Sequence, residues 1–259
     1  MVEPKNTKKL QRLPATTPTL KHRSKSITVI VKEVIDFTDT IYFLRLTPDV
    51  KPFKFQPGQF ISLMVEKEGK IISRPYSIAS PPEHKDYIEL CIRKVPDGFM
   101  SNYLSNLPVG TRLKARGPLG RFVLPEPITC DTVFVGTGTG IAPLISMVGH
   151  IFREGSDVNS NLEFWLIIGM RYVKEMIYKE FLENISREHP NFHVIYTLSR
   201  PETPDWKGRV GYVQKVITEE IVNPQDKYVY ICGLRHMIEE TKALCEKLGF
   251  AYVSFEKWD

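Results

Sequence analysis

The 259-residue chain has only four cysteines, Cys91, Cys130, Cys232 and Cys245, and no two form a Cys-x-x-Cys pair. That scarcity excludes the usual sequence frameworks for zinc, an iron–sulfur cluster or a redox dithiol. Long apolar runs are also missing. No stretch approaches the roughly 20 apolar residues that a spanning helix needs, and the first residues lack the apolar core of a secretory signal. A soluble, cytoplasmic protein is therefore expected. His189 and His193 have the i, i+4 spacing of a helical metal pair, but Pro190 and Asn191 between them break such a helix, and no metal site is expected. Internal repeats are absent too.

What is present is ordinary globular composition, 42% hydrophobic and 25% charged, in a chain long enough for two domains. The net charge of +5 is unevenly placed. Residues 1–25 hold seven Lys/Arg against Glu3 alone, so the remaining chain is close to neutral. This basic stretch reads as a flexible, solvated arm; docking to an acidic partner and organellar targeting are the other readings. It lacks the interleaved aromatics of a nucleic-acid-binding segment.

From residue 26 to 124 six short β-branched and aromatic runs alternate with Pro/Gly punctuation: 27–35, 40–47, 59–65, 71–79, 87–94 and 111–115. Six strands at that spacing predict an antiparallel β-barrel or sandwich. A turn or two of helix is expected where Met100, Tyr103, Leu104 and Leu107 recur. Leu124-Pro125-Glu126-Pro127 marks the domain boundary. Over 125–259 the pattern becomes strand then helix, repeated, with helices expected over 141–152, 174–186, 213–221 and 235–247 and a last strand over 252–255. Strands apolar on both faces predict an α/β parallel-sheet domain, with ligands beyond the strands' carboxyl ends at Gly136, Gly169, Ser199 and Gly233.

Two segments carry the chemistry. Arg74-Pro75-Tyr76-Ser77 combines a cation, a ring and a hydroxyl on one strand, which suits a flavin, although Arg and Tyr also alternate on ordinary strands. Gly136-Thr137-Gly138-Thr139-Gly140-Ile141-Ala142-Pro143 follows a buried strand and opens a helix, so its N–H groups can cradle a pyrophosphate; a plain strand–helix turn is the alternative. Gly98-Phe99-Met100-Ser101 offers a second helix start for phosphate, and two phosphate sites favour FAD over FMN. At the end of the third predicted parallel strand stand Ser199 and Arg200, then Lys207, Arg209 and Tyr212, cations and hydroxyls that suit the 2′-phosphate of NADP; Glu202 leans toward NAD. Cys232, read alone, is a small buried hydrophobe, and Trp258 a surface cap.

Arg74-Pro75-Tyr76-Ser77-Ile78-Ala79-Ser80, Leu90-Cys91-Ile92-Arg93, Gly98 to Leu104, Gly117-Pro118-Leu119-Gly120, the Gly136 to Pro143 turn and Cys232-Gly233-Leu234 occur in an order that resembles the ferredoxin–NADP reductase family. The resemblance covers nearly everything from residue 26 onward. It implies an FAD barrel followed by a nicotinamide domain. On the FAD it places Arg74 and Ser101 at the pyrophosphate, Tyr76 on a ring face and Ser77 near the reactive nitrogen. Cys91, Ile92 and Arg93 approach by backbone, with Gly98, Met100, Thr139 and Trp258 completing the FAD set. For NADP it implies Gly138, Thr139, Gly140, Pro143, Arg171, Ser199, Arg200, Tyr212, Gln214, Cys232 and Gly233. Arg209 stands in for a lysine frequent in plant-type members where this chain has Val210. The catalytic group implied is Ser77, Cys232, Glu256 and Trp258, with Trp258 covering the flavin until nicotinamide displaces it. The activity implied is hydride transfer between NADP(H) and FAD and single-electron transfer with a ferredoxin or flavodoxin. The competing readings are an NADH-linked oxygenase reductase component or free-flavin reductase, and an electron-transfer subunit of a larger complex.

Overall fold

A computed structural model describes residues 25–153 and 161–258. The expected basic arm lies outside these residues except for Lys25.

The N-terminal sheet contains β1 (Lys25–Asp36), β2 (Ile41–Pro48), β3 (Phe60–Lys67), β4 (Lys70–Ser77), β5 (Ile88–Arg93) and β6 (Arg112–Leu119), all antiparallel, in the order β4-β3-β6-β1-β2-β5. Period-two alternation sets each face: on β6, Leu113 and Ala115 point inward while Arg112, Lys114 and Arg116 are exposed. The two edges meet through the Ile78–Leu90 bridge, and the Ala79 N–H donates to the Glu89 carbonyl at 2.7 Å. The sheet thus curls onto itself, and of the two architectures left open by the sequence it is the barrel. Helix α1 (Phe99–Leu104) sends Met100 and Leu104 into the barrel core.

The second sheet is wholly parallel: β7 (Asp131–Thr137), β8 (Phe164–Met170), β9 (Phe192–Leu198), β10 (Arg209–Val210), β11 (Lys227–Leu234) and β12 (Tyr252–Trp258), in the order β10-β9-β8-β7-β11-β12. Helices α2 (Ala142–Ile151), α3 (Lys179–Glu188), α4 (Val213–Glu220) and α5 (Arg235–Leu248) connect and cover it. Strand order reverses between β7 and β11, and a ligand crevice forms at such a switch point.

Three elements differ from expectation. The third predicted helix begins at Lys179, not 174, because Met176 and Ile177 turn into the core and Tyr178 takes a left-handed φ of 58°. The two-residue strand β10 is too short to leave a periodic signal. Strand β12 continues past residue 255 to Trp258, which places Glu256 and Trp258 in the sheet, opposite Cys232 and Leu234 of β11.

One apolar cluster runs across both units, joining Ile41, Ala79 and Cys91 of the barrel to Leu144, Phe164 and Tyr230. Polar links span the same junction. Ser146 Oγ donates to the Ser80 carbonyl at 2.8 Å, Tyr178 OH donates to Glu89 Oε1 at 3.1 Å, and Arg93 Nη1 donates to Glu175 Oε1 at 2.8 Å.

Candidate active site at the junction of barrel and sheet

On the barrel side, β4 is an edge strand, so Pro75 can lie within it without leaving a ladder position undonated. Arg74 is exposed, its Nη1 donating to the neighbouring Ser73 carbonyl at 2.9 Å. Tyr76 is half-buried, and burial pushes its hydroxyl up to about 12, the Arg74 cation pulling the other way. Ser77 is buried, and its Oγ has no hydrogen-bond partner among the described residues.

On β5, Ile92 fills the barrel core while Cys91 faces the α/β unit, where burial pushes its thiol far up. Arg93, expected to serve through its backbone, also carries the ion pair to Glu175. At the second expected phosphate position, Gly98 lies where a Cβ would come within 2.8 Å of Val95 Cβ. Ser101 is in the first turn of α1, but its hydroxyl is turned inward, accepting the Val95 N–H at 3.0 Å, and its carbonyl accepts from Tyr42 OH at 2.8 Å. Any anion there would meet the backbone N–H groups of the loop.

At the switch point, glycines lock two strand ends together. A Cβ on Gly136 would lie 2.7 Å from Ile141 Cγ2, and one on Gly140 only 2.6 Å from Gly233 Cα. A Cβ on Gly233 would reach Thr137 Oγ1 at 2.6 Å. Gly140 is therefore required by backbone packing alone, Gly136 is held by close side-chain contacts, and Gly233 is fixed both by its contacts and by a φ of 155°. Gly138 has open space instead: its φ of 55° favours glycine, but the nearest atom to a Cβ there would be Arg93 Nη2 at 3.8 Å. The turn passes through a 3-10 segment, Gly138–Ile141, which contains Thr139, before α2 begins with Ala142 and the buried Pro143. Thr137 Oγ1 is a second buried oxygen with no partner among the described residues.

Strand β12 brings the two sides together. Trp258 Nε1 donates to Cys232 Sγ at 3.0 Å, and its ring meets Phe60 edge-on, 6.0 Å between centroids. Phe60 is the register partner of Ser77. Glu256 lies close enough to Ser77 for the hydroxyl to act on its carboxyl, yet Glu256 Oε2 completes no hydrogen bond among the described residues. Burial raises Glu256 from the carboxylate range to about 7, with Ser77 opposing. Burial, with Glu256 next, pushes the Cys232 thiol well up, so it stays protonated and is a poor nucleophile.

The third group lies at the far ends of β8 and β9. The Arg200 N–H donates to the Arg171 carbonyl at 3.0 Å and the Ser199 N–H to the Met170 carbonyl at 2.9 Å, which joins the backbones of two exposed arginines at this end of the sheet. Gly211 ties Tyr212 to this edge, its N–H donating to the Leu198 carbonyl at 2.9 Å, and Tyr212 is 73% exposed. Two expected members are otherwise engaged. Arg209 pairs with Glu219 at 2.7 Å and with Glu220, so its guanidinium is held on α4 and is not available as expected. Gln214 Nε2 donates to Glu240 at 3.2 Å. His193, of the rejected pair, lies 2.6 Å from Glu163, and His189 stacks beside Phe152. The sequence reading missed Phe60, Thr137, Glu89 and Glu175. Thr137 lies inside the quoted glycine turn and was within reach; the others have no local signature.

Buried oxygens left unsatisfied among the described residues, Thr137 Oγ1 at the glycine turn and the Ser77 and Glu256 pair beside it, fit a group that supplies hydrogen-bonding edges and phosphates. Fold and site together define a two-cofactor oxidoreductase. Residues 26–124 match the oxidoreductase FAD-binding domain family and residues 134–243 the oxidoreductase NAD-binding domain family. The chain is 33% identical over 240 residues to ferredoxin–NADP reductase B of Sorangium cellulosum, covering 89% of this chain and 96% of that protein. It is 28% identical to the glycine betaine monooxygenase reductase subunit of Chromohalobacter salexigens, covering 85% of this chain and 60% of that one. Among solved structures it superposes on the Amycolatopsis cytochrome P450 reductase GcoB with a TM-score of 0.79 and 27% identity, covering 90% of this chain and 69% of that one. The chain belongs to the ferredoxin–NADP reductase family of flavoproteins. It is an oxidoreductase that uses FAD and NAD(P)H.

Proposed function

We propose that the chain is an NADPH-dependent reductase that passes electrons singly to a ferredoxin or flavodoxin. The nucleotide preference rests on one observation: Arg171 and Arg200, both exposed and neither ion-paired among the described residues, flank Ser199 beside the exposed ring of Tyr212. Two guanidinium forks and a hydroxyl suit a phosphate monoester, whereas a ribose diol is better met by a carboxylate. The acceptor rests on the likeness to a ferredoxin–NADP reductase across nearly the whole of both chains.

In this reading Arg74 and the backbone N–H groups after Gly98 would hold the FAD diphosphate, and Tyr76, Cys91, Ile92, Arg93 and Thr139 would contact its flavin. The turn through Gly138, Thr139 and Gly140, with Pro143 behind it and Gly233 opposite, receives the NADPH diphosphate. Trp258, tethered by Cys232 and edge-on to Phe60, would have to be released for nicotinamide to reach a flavin held on the Ser77 side. Bound flavin supplies the conversion of a hydride pair into single electrons. Glu256, near neutrality, holds or yields a proton beside Ser77 Oγ, and Cys232 borders the nicotinamide as a neutral thiol.

An anaerobic titration of the flavin absorbance with NADPH and with NADH tests the nucleotide choice. Bleaching by NADPH at far lower concentration supports it. Equal or better bleaching by NADH favours the second reading, an oxygenase reductase component, which has its own support in the likeness to the monooxygenase reductase subunit and in the exposed Glu202 beside the arginines.

A further inference from the structure

Gln214 carries a buried acceptor that the proposed reaction does not use. Its Nε2 donates to Glu240 Oε2 at 3.2 Å, while its Oε1 is shielded from solvent with no donor among the described residues. A carboxylate only accepts, so the Glu240 contact fixes which end of the amide is nitrogen and which is oxygen. Glu240 is backed in turn by His236, one helical turn earlier on α5, whose Nε2 lies 3.3 Å from Glu240 Oε1. A glutamine free to move would relieve such an oxygen by turning its amide toward water. Here the turn would break the bond to Glu240 and set oxygen against carboxylate. A carbonyl oxygen held in this way without a donor calls for a partner that arrives from outside.

The place of Gln214 in the fold says what that partner is. It is the second residue of α4, directly after Tyr212 and Val213, and the Gly211 N–H ties this helix start to Leu198, the residue before Ser199 and Arg200. A planar base laid on the exposed Tyr212 ring would bring its edge to the side chain two residues on. The base of a nicotinamide dinucleotide is adenine, whose exocyclic 6-amino group is a donor. A glutamine ordinarily meets adenine with both halves of its amide, the oxygen to the amino group and the N–H to the ring nitrogen beside it. With the nitrogen committed to Glu240, only the acceptor half is offered. A purine with a 6-oxo group would then face oxygen against oxygen.

We propose that Glu240, acting through Gln214, determines specificity for the base of the nicotinamide nucleotide, selecting a 6-amino purine over a 6-oxo purine. This rests on the proposed seat of the 2′-phosphate at Arg171, Arg200 and Tyr212 and adds the group that reads the base. Glu240 is a positioning residue, since the contact to the base belongs to Gln214 Oε1. Discrimination comes from the mismatch: the wrong base leaves two acceptors opposed and desolvated, which costs more than a missing bond between exposed groups.

The test is isothermal titration of the oxidised, FAD-loaded protein with NADP+ and with its analogue in which hypoxanthine replaces adenine. The unaltered protein should bind NADP+ about tenfold more tightly than the analogue. Glu240→Ala lets the amide turn and offer its N–H groups to the 6-oxo group, so the ratio should fall to about two or less. Glu240→Gln keeps a carbonyl for Gln214 Nε2 and should keep most of the preference. A purely structural role for Glu240 would weaken both nucleotides alike and leave the ratio where it was in every variant, which overturns the proposal. Equal affinity of the unaltered protein for the two nucleotides overturns it as well. Arg200→Ala checks the seat separately: it should weaken both nucleotides by one factor, and unchanged affinity would overturn the 2′-phosphate seat and the base reading with it.

Discussion

Glu256 is the residue whose chemistry is most open to test, because burial shifts its carboxyl to about 7 and no ion pair compensates among the described residues. A raised folded-state value means the neutral form is the one the fold favours. Its stability contribution is therefore fully present below the unfolded carboxylate range and is lost as pH rises through about 7. Replacing it with Gln removes that loss. Denaturant titrations at pH 5 and pH 8 should show Glu256→Gln gaining on the unaltered protein by up to about 3 kcal/mol over that interval. A constant difference at both pH values would mean the carboxyl is not buried uncharged. Gly140 is a second decisive residue. A Cβ there meets the Gly233 backbone, which no rotamer change can relieve. Gly140→Ala is expected to cost about 1–3 kcal/mol and to weaken nicotinamide binding while leaving bound flavin, read by thermal melts and difference spectra. Full nucleotide affinity in that variant would show that the two loops can part freely.

Among elements, the ends of β8 and β9 separate what the sequence shows from what it hides. The position of Ser199 and Arg200 at a strand end was legible because they follow the apolar run Phe192–Leu198 directly. The strand ends at Gly136 and Gly233 were legible for the same reason, since glycine constraints act within a few residues. Arg209 looked equivalent to Arg200 in the sequence, and only the fold shows that α4 brings Glu219 and Glu220 to it. The two arginines should therefore respond differently. Arg200→Ala is expected to raise the NADPH dissociation constant by about tenfold or more, with little effect on NADH, as loss of a charge-assisted contact implies. Arg209→Ala should leave NADPH affinity nearly unchanged and cost at most about 1 kcal/mol of stability, its partners being part-exposed. Isothermal titration of both variants decides this, and an Arg209→Ala loss equal to that of Arg200→Ala would restore the original expectation.

At the scale of the whole molecule, the least legible feature is the joint between the barrel and the parallel sheet. Arg93 and Glu175 are 82 residues apart in sequence, and no periodicity relates them. Yet the proposed function needs groups from both sides, Ser77 from one and Cys232, Glu256 and Trp258 from the other, to keep a fixed relation. The apolar cluster that crosses the joint supplies cohesion, and cohesion is non-directional. Direction comes from the polar links, of which Glu175 is only 5% exposed and Tyr178 OH reaches Glu89 at 3.1 Å. Removing both, as Glu175→Gln with Tyr178→Phe, leaves Glu89 its Arg45 partner at 2.8 Å and Arg93 partly in water, so each loss should cost only about 1–2 kcal/mol. The unaltered protein should lose bound flavin and far-UV ellipticity at one denaturant midpoint, the mark of a single cooperative unit. In the double variant the two midpoints should separate, and flavin reduction by NADPH should slow more than NADPH binding weakens, because alignment and not affinity has been lost. Coincident midpoints with an unchanged reduction rate would show that apolar packing, with the remaining Ser146–Ser80 bond, is enough to hold the two faces in register.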